Sequence, residues 1–131
     1  VGLEPVVTLD ARILSVFHAK AGETVGYGAT HTLDGNTALA TVALGYADGI
    51  PRSGSDTLIA YLDGTPCPVL GRISMDLITI DVSKAQGVAK SGARVEFLGA
   101  HAKLEDQAAR AGTLGYELLT GLSNRVERVY P

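Results

Sequence analysis

The chain has 131 residues, 46% hydrophobic and 19% charged, which is typical of one folded domain and argues against a disordered chain. A formal net charge of −3 disfavours non-specific binding to nucleic acid, which needs a basic surface. The longest stretch without an acidic or basic residue, Gly35–Ala47, is shorter than the roughly 20 residues of a membrane-spanning helix. The single cysteine, Cys67, excludes an internal disulfide and fits a reducing compartment.

Most of the chain is predicted to form short strands separated by glycine-containing turns. The segment Thr37–Gly45 has small or apolar residues on both faces, which predicts a well-buried strand. Other apolar or β-branched segments predict four further strands: Val6–Ala19, Ile73–Val82, Arg94–Leu98 and Val126–Tyr130.

The clearest local prediction is a hairpin. Asp63-Gly64 stands between the segments Thr57–Leu62 and Thr65–Gly71, and an Asp-Gly pair suits the positive φ angles of a tight hairpin turn. Pro66 and Pro68 cannot donate ladder hydrogen bonds, so the second strand should lie at an edge or a bulge.

Helical spacing appears only near the C-terminus. Leu104–Ala111 predicts one short helix that stops at Gly112, and Thr113 is expected to cap a second. Because strands and turns dominate, the predicted fold is mostly β, a small Greek-key-like β-barrel with one or two short helices near the C-terminus.

The residues alone give few chemical signals. No pair of cysteine or histidine residues has ligand spacing, so no metal site is predicted. Tyr27 stands between Gly26 and Gly28, and glycine on both sides allows a sharp bend and close approach by another surface. Tyr46 follows a predicted buried strand. For both tyrosines two interpretations stay open, namely packing on the domain surface or presentation to a ligand.

Four motifs in order give a specific resemblance. AGETVGYGATH, LGYADGIPR, DGTPCPVLGRISMD and GTLGYELLTGLSNRVERVY together resemble the C-terminal domain of alanine racemase, from about Arg12 to Tyr130. The combination of GYADG-x-PR with GR-x-x-MD is specific, whereas either motif alone is weak. Ser74 departs from the cysteine that many relatives carry, and Gly115 departs from a common asparagine.

The resemblance implies a two-domain, fold-type III enzyme that uses pyridoxal 5'-phosphate. Residues 1–131 would form the single C-terminal β-domain, and an N-terminal α/β barrel outside this chain would carry the cofactor lysine. The full-length enzyme would be a cytoplasmic homodimer acting on a small amino acid, with no nucleic-acid or membrane partner. Because no lysine here has a cofactor-lysine context, the isolated chain is expected to be inactive.

The resemblance also implies roles for six residues, with catalysis by two bases on opposite faces of the substrate. Tyr27 matches the catalytic tyrosine that reaches the partner subunit's active site. The other matches are Tyr46 and Met75 for substrate binding, Arg52 and Arg72 for the substrate entrance, and Tyr116 for the cofactor phosphate.

Two alternatives stay open at this point. The same domain would serve a serine or broad-specificity racemase, because the pocket is shaped partly by the barrel. A non-catalytic β-barrel interaction module is the second alternative, although retention of the tyrosines and of Met75 in this arrangement speaks against it.

Overall fold

The computed structural model describes residues 7–26, 28, 31–123 and 125–127. They form the strands β1 (Leu9–Ala19), β2 (Thr24–Val25), β3 (His31–Thr32), β4 (Thr37–Val42), β5 (Ile59–Leu62), β6 (Thr65–Pro68), β7 (Ile78–Asp81) and β8 (Arg94–Leu98), and the helices α1 (Leu104–Arg110) and α2 (Gly115–Thr120). Two short 3₁₀ turns, Tyr46–Asp48 and Arg52–Gly54, lie between β4 and β5. The predicted fold, mostly β with short helices near the C-terminus, is confirmed.

Six of these strands form one antiparallel sheet in the order β6-β5-β8-β1-β4-β7. The two end strands meet again, because Val69 bridges to Ile80 and the Leu70 N–H donates to the Thr79 carbonyl at 2.9 Å. The sheet is therefore a nearly closed barrel. β2 and β3 pair separately as a two-stranded ribbon.

Strand β1 joins the two halves of the barrel. Its first part, Leu9–Arg12, pairs with β8, and its second part, Ile13–Ala19, pairs with β4. The register shifts once within each pairing. Such irregularities bend a strand and increase its twist, so β1 can curve around the core.

Both faces of β4 are buried, as its sequence predicts, but by different partners. The inward face, with Ala40 and Val42, contacts the main core of the barrel. The outward side chain of Leu39 is covered by the β2–β3 ribbon through Val25 and the neighbouring Leu33. The ribbon is thus held on the outside of the barrel by apolar contacts, which are worth about 1.5–3 kcal/mol for each fully buried large side chain.

The predicted hairpin is confirmed, and one predicted strand is wrong in its first half. Asp63 and Gly64 have φ angles of 50° and 79° between β5 and β6, and β6 lies at one end of the sheet order. The prediction of a strand over Ile73–Val82 fails before Ile78, because the Ser74 backbone and hydroxyl both bond to Leu77 in a tight turn.

The helix boundaries follow the predictions closely but not completely. α1 ends beside Gly112, which has a φ of 69°, as expected for a C-terminal glycine. The prediction that Thr113 caps α2 is wrong, because the capping position is Leu114 and the Thr113 hydroxyl donates to the Glu117 carboxylate at 2.6 Å. In the predicted strand Val126–Tyr130, residues 128–130 lie outside the described residues, and positions 126 and 127 are not in a strand.

One buried side chain attaches α1 to the sheet. β5 and β8 share one registered residue pair, and beyond it the Gln107 amide replaces the missing ladder. Its Nε2 donates to the carbonyls of Ile59 and Phe97 at 2.7 and 2.8 Å, and its Oε1 accepts from the Ile59 N–H at 3.3 Å. Gln107 is 1% exposed, so these bonds lie out of water.

Among the described residues, no helix has the length and apolar character needed to cross a bilayer.

Candidate functional site

Tyr46 and Met75, which the family resemblance assigns to substrate binding, lie on two segments in direct backbone contact. The Tyr46 N–H donates to the Ser74 carbonyl and the Ala47 N–H donates to the Met75 carbonyl, both at 3.0 Å. Gly45 permits this approach, because a Cβ there would overlap the carbonyl groups of Ser74 and Met75. Both predicted residues remain open to solvent, with Tyr46 39% and Met75 51% exposed.

An acidic residue to which the sequence analysis assigns no role holds these segments together. Asp48 is buried, and its carboxylate accepts the Gly45 N–H at 2.9 Å and lies 3.6 Å from the Arg125 guanidinium. Arg125 also forms an ion pair, at 2.6 Å, with Asp76, the residue that follows Met75 in the chain. The hydrogen bond to Asp76, together with attraction to Asp48, raises the pKa of Arg125. The sequence feature that could have indicated this buried carboxylate is an aspartate directly before a glycine, in the loop after a buried strand.

Arg52 belongs to the same surface. It begins the second 3₁₀ turn, and its guanidinium carbon lies 5.4 Å from the centre of the Tyr46 ring, a distance suitable for a cation–π contact. The structure therefore brings the predicted entrance arginine onto the predicted substrate-binding tyrosine.

Arg72 lies at a second close backbone approach. Gly26 has a φ of 87°, and a Cβ there would lie 2.6 Å from the Arg72 nitrogen. Gly71 has a φ of 77°, and its Cβ would in turn lie 2.7 Å from the Gly26 Cα. The prediction that glycine at 26 permits close approach is confirmed. Tyr27, the predicted catalytic residue, lies outside the described residues.

Tyr116 occupies the first turn of α2 and is 76% exposed. Gly115 allows α2 to begin against α1, because a Cβ there would lie 2.7 Å from the Glu105 carboxylate. Among the described residues, no hydrogen bond or ring contact joins the Tyr116 side chain to Tyr46 or Met75. Its exposed hydroxyl is available to donate to an oxygen of a phosphate group.

The candidate site is an open surface. Two cavities in the described part of the chain, of about 310 and 570 Å³, include neither Tyr46 nor Met75 in their lining. In the same part of the chain, histidine, cysteine and carboxylate side chains form no group of three that suits a metal ion. The exposed residues Tyr46, Met75 and Leu77 therefore form a platform that needs another surface to become a pocket.

Comparison with known proteins identifies the family. The family described as alanine racemase, C-terminal domain, matches residues 6–130, and this chain belongs to it. The resemblance noted in the sequence is therefore confirmed.

Similar proteins include the alanine racemase of Brucella canis, 48% identical over 127 residues, and the catabolic alanine racemase of Rhizobium johnstonii, 46% identical over 129 residues. These matches cover 96% and 98% of the chain but 32% and 34% of the relatives, so the chain spans about a third of their length.

Two solved structures share the fold. Alanine racemase from Acinetobacter baumannii has a TM-score of 0.91 and 45% identity, with 96% of this chain and 35% of that chain covered. Alanine racemase from Bartonella henselae with covalently bound pyridoxal phosphate has a TM-score of 0.90 and 35% identity, with 95% of this chain and 34% of that chain covered.

Proposed function

We propose that this chain acts as the C-terminal domain of an alanine racemase that interconverts L- and D-alanine. Membership of the family supports this proposal. The observation that carries it is the contact of the Tyr46 and Met75 segments through two backbone hydrogen bonds and the Gly45 approach, because it joins the two motifs of the family resemblance in one exposed platform.

The proposal divides the parent protein into two domains. The chain is about a third of the length of its relatives, which fits a second domain that follows an N-terminal barrel carrying the cofactor lysine. In the proposed cytoplasmic homodimer the partner's barrel covers the open platform and so completes the pocket. The unpaired, buried Cys67 is compatible with a reducing compartment.

Racemisation requires a proton to leave one face of the α-carbon and another to arrive on the opposite face. Pyridoxal phosphate, when bound, supplies an electron sink for the α-carbanion. In the proposal a lysine of the barrel serves one face and Tyr27 serves the other. A free tyrosine has a pKa of about 10, so a base that works near neutral pH needs roughly 4 kcal/mol of preference for the phenolate. Cationic neighbours can supply this preference.

The remaining residues bind and orient the substrate and cofactor. Among the described residues, no acceptor pairs with the Met75 N–H, which supports its proposed role as a donor to the substrate carboxylate. Tyr46 borders the same position under the Arg52 guanidinium. Arg52 and Arg72 would attract an anionic substrate at the entrance, and the Tyr116 hydroxyl would donate to the cofactor phosphate.

The test uses the full-length parent protein with pyridoxal phosphate and L-alanine in D₂O. Deuterium at the α-carbon and loss of optical rotation are followed together, for the parent and for Tyr27→Phe. Tyr61→Phe is the matched control, because Tyr61 stacks on His101 away from the site. We expect the parent and Tyr61→Phe to racemise alanine and Tyr27→Phe to lose turnover.

A parent that leaves alanine unchanged would refute the proposal. A panel with serine and larger amino acids is run beside alanine in every case. A broad-specificity racemase turns over several of them at rates comparable with alanine, a serine racemase favours serine, and a non-catalytic module turns over none.

A further inference from the structure

Asp56 connects two parts of the candidate site through a single oxygen atom. Its Oδ1 accepts the Gly71 N–H at 2.7 Å and lies 2.9 Å from His31 Nδ1. The distance between Asp56 and His31 is within the range of an ion pair. Asp56 adopts a φ of 60°, a left-handed conformation that asparagine, aspartate and glycine tolerate best.

The two groups that Asp56 joins, the Gly71 N–H and the His31 imidazole, belong to separate parts of the chain. His31 is in β3 and pairs with Val25 in β2, so these residues form the base from which the chain around Tyr27 extends. Gly71 packs against Gly26. Asp56 therefore completes a closed series of contacts. Gly26 packs against Gly71, the Asp56 carboxylate contacts both Gly71 and His31, and the β2–β3 ribbon leads from His31 back to Gly26.

The ribbon needs such a connection. β2 and β3 have two residues each and form no ladder with the six-stranded sheet, and a lone two-stranded hairpin is marginally stable in water. Apolar contacts hold the ribbon against β4, and the ion pair between His31 and Asp56 gives it a polar contact with a separate segment. The neighbouring Ser55 accepts the Ile73 N–H at 2.9 Å and donates to the Arg52 carbonyl at 2.7 Å, so the same segment also reaches Arg52.

We infer that Asp56 and His31 are positioning residues for the proton transfer proposed for Tyr27. They hold the base of the Tyr27 segment in register with the Gly71–Arg72 backbone. This inference depends on the proposed function, because it assigns a geometric role in the same site. The side chains of His31 and Asp56 are 32% and 43% exposed, so we expect their effect to fall on geometry more than on folding stability.

The test uses the full-length holoenzyme and two variants at one position. Asp56→Gly removes the carboxylate yet accepts the left-handed φ, so the backbone is not strained. Asp56→Asn keeps an oxygen that can accept the Gly71 N–H and face His31, and it also tolerates this conformation. We expect Asp56→Gly to lower kcat about tenfold to a hundredfold, the range for misplacement of a catalytic group, and Asp56→Asn to restore most of it.

The deciding measurement is the primary isotope effect with α-deuterated L-alanine and α-deuterated D-alanine. Partial unfolding lowers the amount of active enzyme and leaves both isotope effects unchanged. A misplaced base slows one proton transfer, so the isotope effect in Asp56→Gly should rise for the one enantiomer whose α-proton Tyr27 removes. Hydrogen exchange at the Gly71 amide should also become faster, which reports the loss of the contact directly.

His31→Val is the second variant, because it removes the imidazole, suits a strand and leaves the Asp56–Gly71 bond in place. It should give the same one-sided isotope effect. If both variants keep kcat within about twofold of the parent while Tyr27→Phe loses turnover, the positioning role is wrong and the proposed function stands. If Tyr27→Phe keeps full activity, the proposed function is wrong and the positioning role fails with it.

Discussion

Replacing Gln107 by leucine should destabilise the domain far more than one surface substitution would. The change keeps a similar volume but removes the amide that serves the Ile59 N–H, the Ile59 carbonyl and the Phe97 carbonyl. Each buried polar group that loses its partner costs about 1–3 kcal/mol, and the new apolar side chain offsets part of this cost. We expect the free energy of unfolding to fall by roughly 2–6 kcal/mol, a large share of the 5–15 kcal/mol typical of a domain.

The assay is urea unfolding followed by circular dichroism, because the chain contains no tryptophan to report by fluorescence. Gln86→Leu provides the matched control, since Gln86 is the other glutamine and is exposed, with side-chain bonds to the Ser83 carbonyl at 3.1 Å and to His18 Nε2 at 3.5 Å. The control should change the free energy of unfolding by about 0.5 kcal/mol or less. A loss below about 1 kcal/mol for Gln107→Leu would refute the view that its amide substitutes for the sheet ladder.

Three further predictions follow from other contacts. Gly45→Ala places a methyl group against the facing backbone carbonyls of Ser74 and Met75. It should lower the midpoint of urea unfolding and reduce racemase turnover of the full-length protein at least about tenfold. The control Gly35→Ala, with no atom within 4 Å of its Cβ, should change neither quantity. Burial raises the pKa of Glu96, but hydrogen bonds from Ala102 and His101 outweigh this and set it below its ordinary value, so its stabilising effect is present above about pH 4.3 and is lost as the pH falls further. Glu96→Gln should therefore be less stable than the parent at pH 6 and lose less stability on acidification to about pH 3; equal pH dependence of the two melting curves would contradict this. Burial, with the charge of Asp81, raises the pKa of Cys67 to about 11. A thiol reagent at pH 8 should therefore modify Cys67 only after urea unfolding, and rapid labelling of the folded chain would contradict its buried position.

Local features of the fold were accessible from the sequence because short-range chemistry determines them. The Asp63-Gly64 turn and the stop at Gly112 both depend on left-handed backbone angles that few residues adopt. The predicted strand from Ile73 was too long, because an apolar pattern cannot reveal that Ser74 turns the chain back on itself. Gln107 was missed for a similar reason, since its partners lie up to 48 positions away in the chain.

The candidate site was predictable only in part. Spacing alone left Tyr46 as a packing or a binding residue, and the family resemblance supplied the second interpretation. The structure adds that Tyr46 and Met75 lie on hydrogen-bonded segments, which Asp48 and Arg125 contact through a hydrogen bond and an ion pair. That network joins positions far apart in sequence, and pairing of this kind depends on the folded topology.

The place of β8 in the sheet has a consequence for how the chain folds during synthesis. β1, β4 and β7 adjoin one another and are complete once Asp81 has been made, so one half of the barrel can assemble early. The β5–β6 hairpin is also complete by then, but in the sheet order β8 separates it from β1. Before Arg94–Leu98 leaves the ribosome, the hairpin can contact the rest of the sheet through the Val69–Ile80 bridge, but the barrel stays open between β5 and β1. During that interval the inner face of the half-built barrel is exposed, and a pause in translation before β8 would prolong its exposure to chaperones and to aggregation.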